Sequence, residues 1–472
     1  MATTKIHVGP GGTFQSSGAY QTTPADIDAL FEELRTSEAK SLVMYFHGGL
    51  VSESVGTETA KSIAPVFQSA GAVPLSFVWE TGLLEILRDN LLEIYKTELY
   101  QKFLKWLLRR ISQRFGGFEQ RGAGVAIPLS RIEQELAKPE PFASYDDPMH
   151  ISAGDARGGV TLSESDLEML EAELQAEFQL DVEADNAVID QVDALSGTTT
   201  QPEARGLADM QIAKMLAAIA YRVIRRHLHR RDHGFYPTVV EELLRELYLA
   251  DLGAWIWGSM KQKAATMWLP NSGLLNDEQH VGTYVLGKLS ELQDKYSDFS
   301  IHLVGHSAGS IAICELLRAA AALDLSLNID TIVFMAPAGR SDLGVAELVR
   351  YPQRFKEFRC YTMADSYERE DKLVPMVYTR SLLYFISGVL EPDEVDAPIM
   401  GMMRHASGQG DFASGPAAEW AEFIKAQSRL VLSDSTELNP RANPGFRSSS
   451  CSHGDFDNDS LTLESLTELL RF

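Results

Sequence analysis

Short apolar runs rich in β-branched residues alternate with helix-like stretches in two parts of this chain, from about 40 to 80 and from about 276 to 391. "SLVMYFHGG" reads as a buried strand, 52–70 as a helix and "AVPLSFVWE" as the next strand. The series resumes with a helix in "EQHVGTYVLGKLSELQDKY", the strand "IHLVGH" and a helix over 308–323. The strand "DTIVFMAP", a helix near 341–357, the strand "FRCYTMA" and a helix around "SLLYFISGVLE" complete it. Strands that stay apolar on both faces and alternate with helices imply βαβ units. The expected class is therefore α/β, a mostly parallel sheet covered by helices on both sides. "DSLTLESLTELLRF" adds a closing helix with Asp459 or Ser460 as its N-cap.

Residues 81–270 break this rhythm. "GLLEILRDNLLEIYKTELYQKFLKWLLRRISQRF" has the period of one long amphipathic helix, and a loop rich in Pro, Gly and Ala follows over 122–160. More helical stretches follow on either side of a polar link near 195–206. An inserted, mainly α-helical cap subdomain (81–270) thus separates two parts of one core, 1–80 and 271–472.

The formal net charge is −24, so the chain lacks the concentrated positive field that nucleic-acid phosphates require. Cys314, Cys360 and Cys451 are too few and scattered for a disulfide framework or a Cys-based zinc site. "MATTKIHVGPGGTF" has no signal-peptide pattern, and no uninterrupted apolar run reaches the roughly 18 residues of a membrane span, so a cytoplasmic location is expected. Within 82–115, Phe103, Trp106, Leu107 and Leu108 stand beside Arg109, Arg110 and Arg114. That pattern fits a cap helix over a site mouth, or alternatively a peripheral membrane contact.

"GHSAG", residues 305–309, joins the strand "IHLVG" to the helix "AGSIAICELLRAAAA". A serine hydroxyl is a poor nucleophile at neutral pH. It needs a base in hydrogen-bond reach, a group that orients the base, and donors for the developing oxyanion. In Gly-x-Ser-x-Gly the serine sits on a sharp strand-to-helix turn, and both glycines are needed because side chains there would collide with the neighbouring strand and helix. Ser307 is the candidate nucleophile.

In the chain order Ser, acid, His, only His405 and His453 follow Ser307. His453 is preferred because "SSSCSHGDFDND" is a small-residue loop directly before the last helix. The acid is expected after "FRCYTMA", where Asp365 and Asp371 are the candidates, Asp371 slightly ahead, with Glu368 and Glu370 weaker. Backbone N–H groups of Ala308 and of Gly48 or Gly49, in "MYFHGGL", are the expected oxyanion donors, with Leu50 as a further option; His47 is read as support for that loop.

With these residues in place the chain resembles the α/β-hydrolase superfamily over about 40–80 and 276–472, through "FHGGL", "GHSAG", "MAPAG", the acidic loop and "SHGDF". "HGG" with "GHSAG" is most similar to lipases and esterases. The resemblance implies a nucleophile elbow, two-step hydrolysis of a small-molecule or lipid-like ester through an acyl-enzyme, and no metal or organic cofactor. A serine peptidase, amidase or thioesterase on the same fold is the alternative, and a non-catalytic interaction protein a third reading. The long insertion before the nucleophile departs from many relatives, whose cap follows it.

Two other patterns carry less. "RRHLHRRDHGF" is similar to the metallo-β-lactamase His-x-His-x-Asp-His pattern but has one residue too many, and reads as a basic, solvated helix end. "DFDNDSL" begins like a calcium loop but has Leu466 where the twelfth-position carboxylate belongs.

Overall fold

The computed structural model describes residues 4–16, 20–49, 52–79, 84–114, 127–145, 164–185, 202–249, 252–392, 394–433 and 444–471. Of the loop expected over 122–160 only 127–145 is described, and it holds the helix Leu129–Leu136; of the link expected near 195–206 only 202–206 is described, as the start of the helix Pro202–Leu228. Among the described residues seven strands form one all-parallel sheet: β1 (Lys5–Val8), β2 (Ser41–Phe46), β3 (Val73–Trp79), β4 (Ser300–His306), β5 (Ile329–Met335), β6 (Phe355–Met363) and β7 (Leu430–Ser433). Their order is β1-β3-β2-β4-β5-β6-β7. The chain builds toward one edge through β2 and β3, then returns to pair β4 with β2 from Ser41↔Ser300 to Phe46↔Gly305, and continues toward the other edge. That reversal puts a topological switch point at the C-terminal ends of β2 and β4, where an open parallel sheet leaves a crevice between its helix layers.

Side-chain alternation divides the core between the two faces. On one face Leu42, Met44, Phe46, Leu303 and Phe334 belong to a cluster with α1 (Pro24–Thr36) and the helices Val281–Lys295 and Gly309–Ala322. On the other, Val43, Tyr45, Val304, Val333 and Met335 pack with Ile63 and Phe67 of α2 (Glu53–Ser69) and with Leu466 and Leu470 at the C-terminus. The closing helix Ser460–Leu469 is capped by Asp459, whose carboxylate accepts the Thr462 N–H at 2.9 Å.

The segment between β3 and β4 is helical. The expected single helix over 82–115 is two, α3 (Leu84–Lys96) and α4 (Glu98–Arg114). Thr97 makes the break: its hydroxyl donates to the Ile94 carbonyl and accepts from the Tyr100 N–H, capping α4 as α3 ends. Phe103, Leu107 and Leu108 are buried and Trp106 is half-buried, while Arg110 pairs with Asp181 and Arg114 with Glu177. The apolar face of α4 is therefore covered by the protein itself. Helices Glu164–Glu183, Pro202–Leu228, Phe235–Leu244 and Leu252–Thr266 follow, and the apolar cluster of the first sheet face continues unbroken into them. Among the described residues no helix is long and apolar enough to cross a membrane.

The helix expected near 341–357 is a single turn, Ser341–Gly344, continued by a wide π-turn over Val345–Val349 and ended before Pro352. "RRHLHRRDHGF" is a basic helix end, closing the helix Pro202–Leu228 with Arg225, His229 and Arg230 exposed, but it is solvated only in part. Arg226 and His233 are buried, Arg226 pairing with Glu241 and Glu242 and His233 bonding Glu241 at 2.7 Å and Asp396 at 2.8 Å.

Candidate active site

β4 delivers Ser307 to the switch point on a turn with φ +52°, a left-handed conformation that a non-glycine residue seldom adopts. Hydrogen bonds hold it there. The Ser307 N–H donates to the Met335 carbonyl, and the Ser307 carbonyl accepts from the Ser310 and Ala338 N–H groups and the Ser310 hydroxyl. The flanking glycines are steric requirements. A Cβ at Gly305 would lie 2.7 Å from the Gly309 carbonyl carbon, and one at Gly309 only 2.1 Å from the Phe46 carbonyl oxygen. Gly309→Ala is expected to destabilise the protein by about 3 kcal/mol or more, because rigid backbone must move. Gly287→Ala, on the helix Val281–Lys295 with open space around it, should instead be neutral or stabilising by up to about 1 kcal/mol. Urea unfolding of the two variants checks the contrast.

His453 reaches this turn from the loop before the last helix. Its Nε2 lies 2.9 Å from Ser307 Oγ, and both residues are nearly enclosed, 7% and 4% exposed. Accepting the serine proton at Nε2 requires the tautomer with hydrogen on Nδ1, and among the described residues Nδ1 has no hydrogen-bond partner. Burial, aided by the neighbouring His306, lowers the His453 pKa to about 3, with Asp457 opposing.

Of the two candidate aspartates, the structure brings Asp371 to His453. Its Oδ2 accepts the His453 backbone N–H at 2.8 Å. Burial raises the Asp371 pKa, the His453 N–H works against this, and Asp455 adds to it. Asp365 is held elsewhere, accepting the Tyr384 hydroxyl at 2.7 Å, and lines a separate cleft of about 500 Å³ together with Arg369, Arg404 and His229. His405 is occupied structurally: Nδ1 accepts the Ile399 N–H, and Nε2 donates to Asp396 at 2.9 Å.

Glu368, on the helix Asp365–Glu370, is a buried carboxyl that accepts the Ser381 hydroxyl. Burial pushes its pKa up to about 8; the Ser381 bond opposes this, and Asp371 and Asp365 reinforce it. A carboxyl raised on folding contributes stability that is present below its unfolded value and lost as pH rises through about 8. Glu368→Gln, which stays neutral, should remove that slope and gain on the order of 2 kcal/mol at pH 9. Thermal unfolding of both proteins across pH 5–9 tests this.

The loop after β2 lies against the elbow. A Cβ at Gly48 would meet Ser307 Cβ at 3.5 Å, and one at Gly49 would meet Ala308 Cβ at 2.7 Å. The first is ordinary contact and the second a clash, so bare backbone is required at Gly49, and both distances bring Gly48, Gly49 and Ala308 to the same place as Ser307. His47 fixes the loop. Its Nδ1 donates to the Gly48 carbonyl at 2.6 Å, its Nε2 accepts the Trp79 N–H at 3.2 Å, and its ring stacks on Trp79. Those bonds define a neutral ring, and burial lowers its pKa to about 4.

Three functional-site neighbours escape the sequence reading: His306, Asp457 and Tyr45. His306 Nε2 donates to the His453 carbonyl at 2.9 Å, His306 Nδ1 faces Asp457 Oδ2 at 3.3 Å, and the Tyr45 hydroxyl donates to the same oxygen at 3.2 Å. The position of His306 next to Ser307 was the available signal. "DFDNDSL" therefore serves the elbow and the helix cap, Asp457 doing the first and Asp459 the second. Among the described residues no group of three or more His, Cys, Asp or Glu is arranged to hold a metal ion. Comparison with family models, with curated proteins and with solved structures gives no match for this chain.

Proposed function

We propose that the chain is a serine hydrolase of the α/β-hydrolase type that cleaves carboxylic esters through an acyl-enzyme, with the helices of 81–270 as its cap. The observation that carries the reading is the 2.9 Å contact of His453 Nε2 with the hydroxyl of a serine on a strained strand-to-helix turn. Ser307 Oγ attacks the ester carbonyl while His453 takes its proton. The oxyanion forms between the N–H of Ala308 and those of Gly48 and Gly49. His453 then protonates the departing alcohol, and water, activated by the same ring, releases the acid.

Asp371 is the acid in this scheme. As Nδ1–H becomes part of an imidazolium, a carboxylate already on the His453 main chain turns toward the ring and stabilises the charge. Apo triads often tighten in this way only when substrate binds. The "HGG" and "GHSAG" motifs, which resemble those of lipases and esterases, support esters as the first substrates to try.

Turnover of short p-nitrophenyl esters, matched thioesters and peptide p-nitroanilides tests the assignment. Esters are expected to have the highest kcat/KM. A preference for thioesters or anilides would reassign the substrate class, and no turnover of any would contradict the hydrolase reading.

A further inference from the structure

His306 takes no part in the proposed reaction. His306 is buried beneath the elbow, its ring centroid 5.7 Å from that of His453. A carbonyl only accepts, so the 2.9 Å bond to the His453 oxygen puts hydrogen on His306 Nε2. Asp457 already accepts from the Tyr45 hydroxyl on Oδ2 and from the Asn458 amide on Oδ1, as an ionised carboxylate does. Its contact with His306 therefore requires hydrogen on Nδ1 as well. A ring that donates from both nitrogens is an imidazolium.

We propose that His306 is a positioning residue, a buried imidazolium that ties the carbonyl of His453 to the nucleophile turn and so holds the general base on Ser307. The inference rests on the reading of Ser307 and His453 as nucleophile and base. The link is direct, since His306 is bonded in the chain to Ser307 and hydrogen-bonded to the main chain of His453. Asp457 supplies the counter-charge, and Tyr45 anchors Asp457 to β2.

A pH dependence follows. The groups facing His306 are Asp457, Asp455 and His453 on the C-terminal loop and Tyr45 and His47 from β2 and its loop. Burial lowers the His306 pKa, but Asp457, the His453 carbonyl and Asp455 outweigh it and raise the pKa above the ordinary histidine value. The clamp is thus fully present below that ordinary value and lost as pH rises through the raised one. A neutral ring would face either the carboxylate or the carbonyl with a bare nitrogen.

The test is the pH profile of kcat/KM for p-nitrophenyl acetate in the wild type, His306→Gln and Asp457→Asn, with fluorophosphonate labelling of each protein. The wild type should show an alkaline limb. His306→Gln, which keeps one donor for the carbonyl but cannot titrate, should lose that limb and about tenfold in kcat, with KM within about twofold. Asp457→Asn should move the limb to lower pH, because His306 loses its counter-charge, and this arm decides the matter if His306→Gln does not fold. An unchanged alkaline limb in the folded variants would overturn the inference while leaving the hydrolase reading intact. A wild type that neither turns over ester nor takes the label would overturn both.

Discussion

Ser307→Ala is expected to lower hydrolysis of a short p-nitrophenyl ester by at least about 10⁴-fold, to the level left by substrate binding and oxyanion donors alone. The variant should keep its fold. The hydroxyl bonds His453, whereas the turn itself is held by backbone bonds and by Ser310, none of which alanine removes. His453→Ala should cost about as much, and the double variant little more, because the two groups act as a unit. Steady-state rates with thermal unfolding as the control measure this. A loss under about tenfold in folded Ser307→Ala would place the chemistry elsewhere.

The second large effect separates the two aspartates that sequence order leaves in competition. Asp371→Asn should reduce kcat by about 10³- to 10⁴-fold, because an amide cannot stabilise the His453 imidazolium and can favour the wrong tautomer. Asp365→Asn should leave kcat within about threefold, since its carboxylate is bonded to Tyr384 rather than to the histidine loop. The variants lie at the two ends of one short helix and remove the same charge, so each controls for the other. Equal losses in kcat would contradict the assignment of Asp371.

These aspartates also mark where sequence reading runs out. The strands β2 to β6 were legible because doubly buried parallel strands leave unbroken apolar runs, as in "SLVMYF" and "IHLVG". Ser307 was legible because its turn demands glycines at fixed offsets, and His453 because few histidines follow it. β1 was not, since the four residues of "KIHV" carry too little pattern and are defined by pairing with β3. The break at Thr97 was hidden because an N-cap can interrupt a helix without interrupting its amphipathic period. The choice between Asp371 and Asp365 depends on which carboxylate the fold carries to a residue some 80 positions away. His306 and Asp457 are farther apart still, joined by a bond that no local pattern encodes. The buried pairs of Arg226 and His233 are of the same kind: the charges resemble a solvated helix end until their carboxylate partners arrive from other segments.

The central claim is that Ser307 is a nucleophile activated by His453, and a fluorophosphonate probe tests it most directly. Such probes phosphonylate a serine whose proton is removed by a positioned base, whatever the natural substrate. Intact mass should rise by one probe per chain, peptide mapping should place the adduct on Ser307, and His453→Ala should abolish labelling. An adduct on another residue, or no adduct on the folded wild-type protein, would contradict the account.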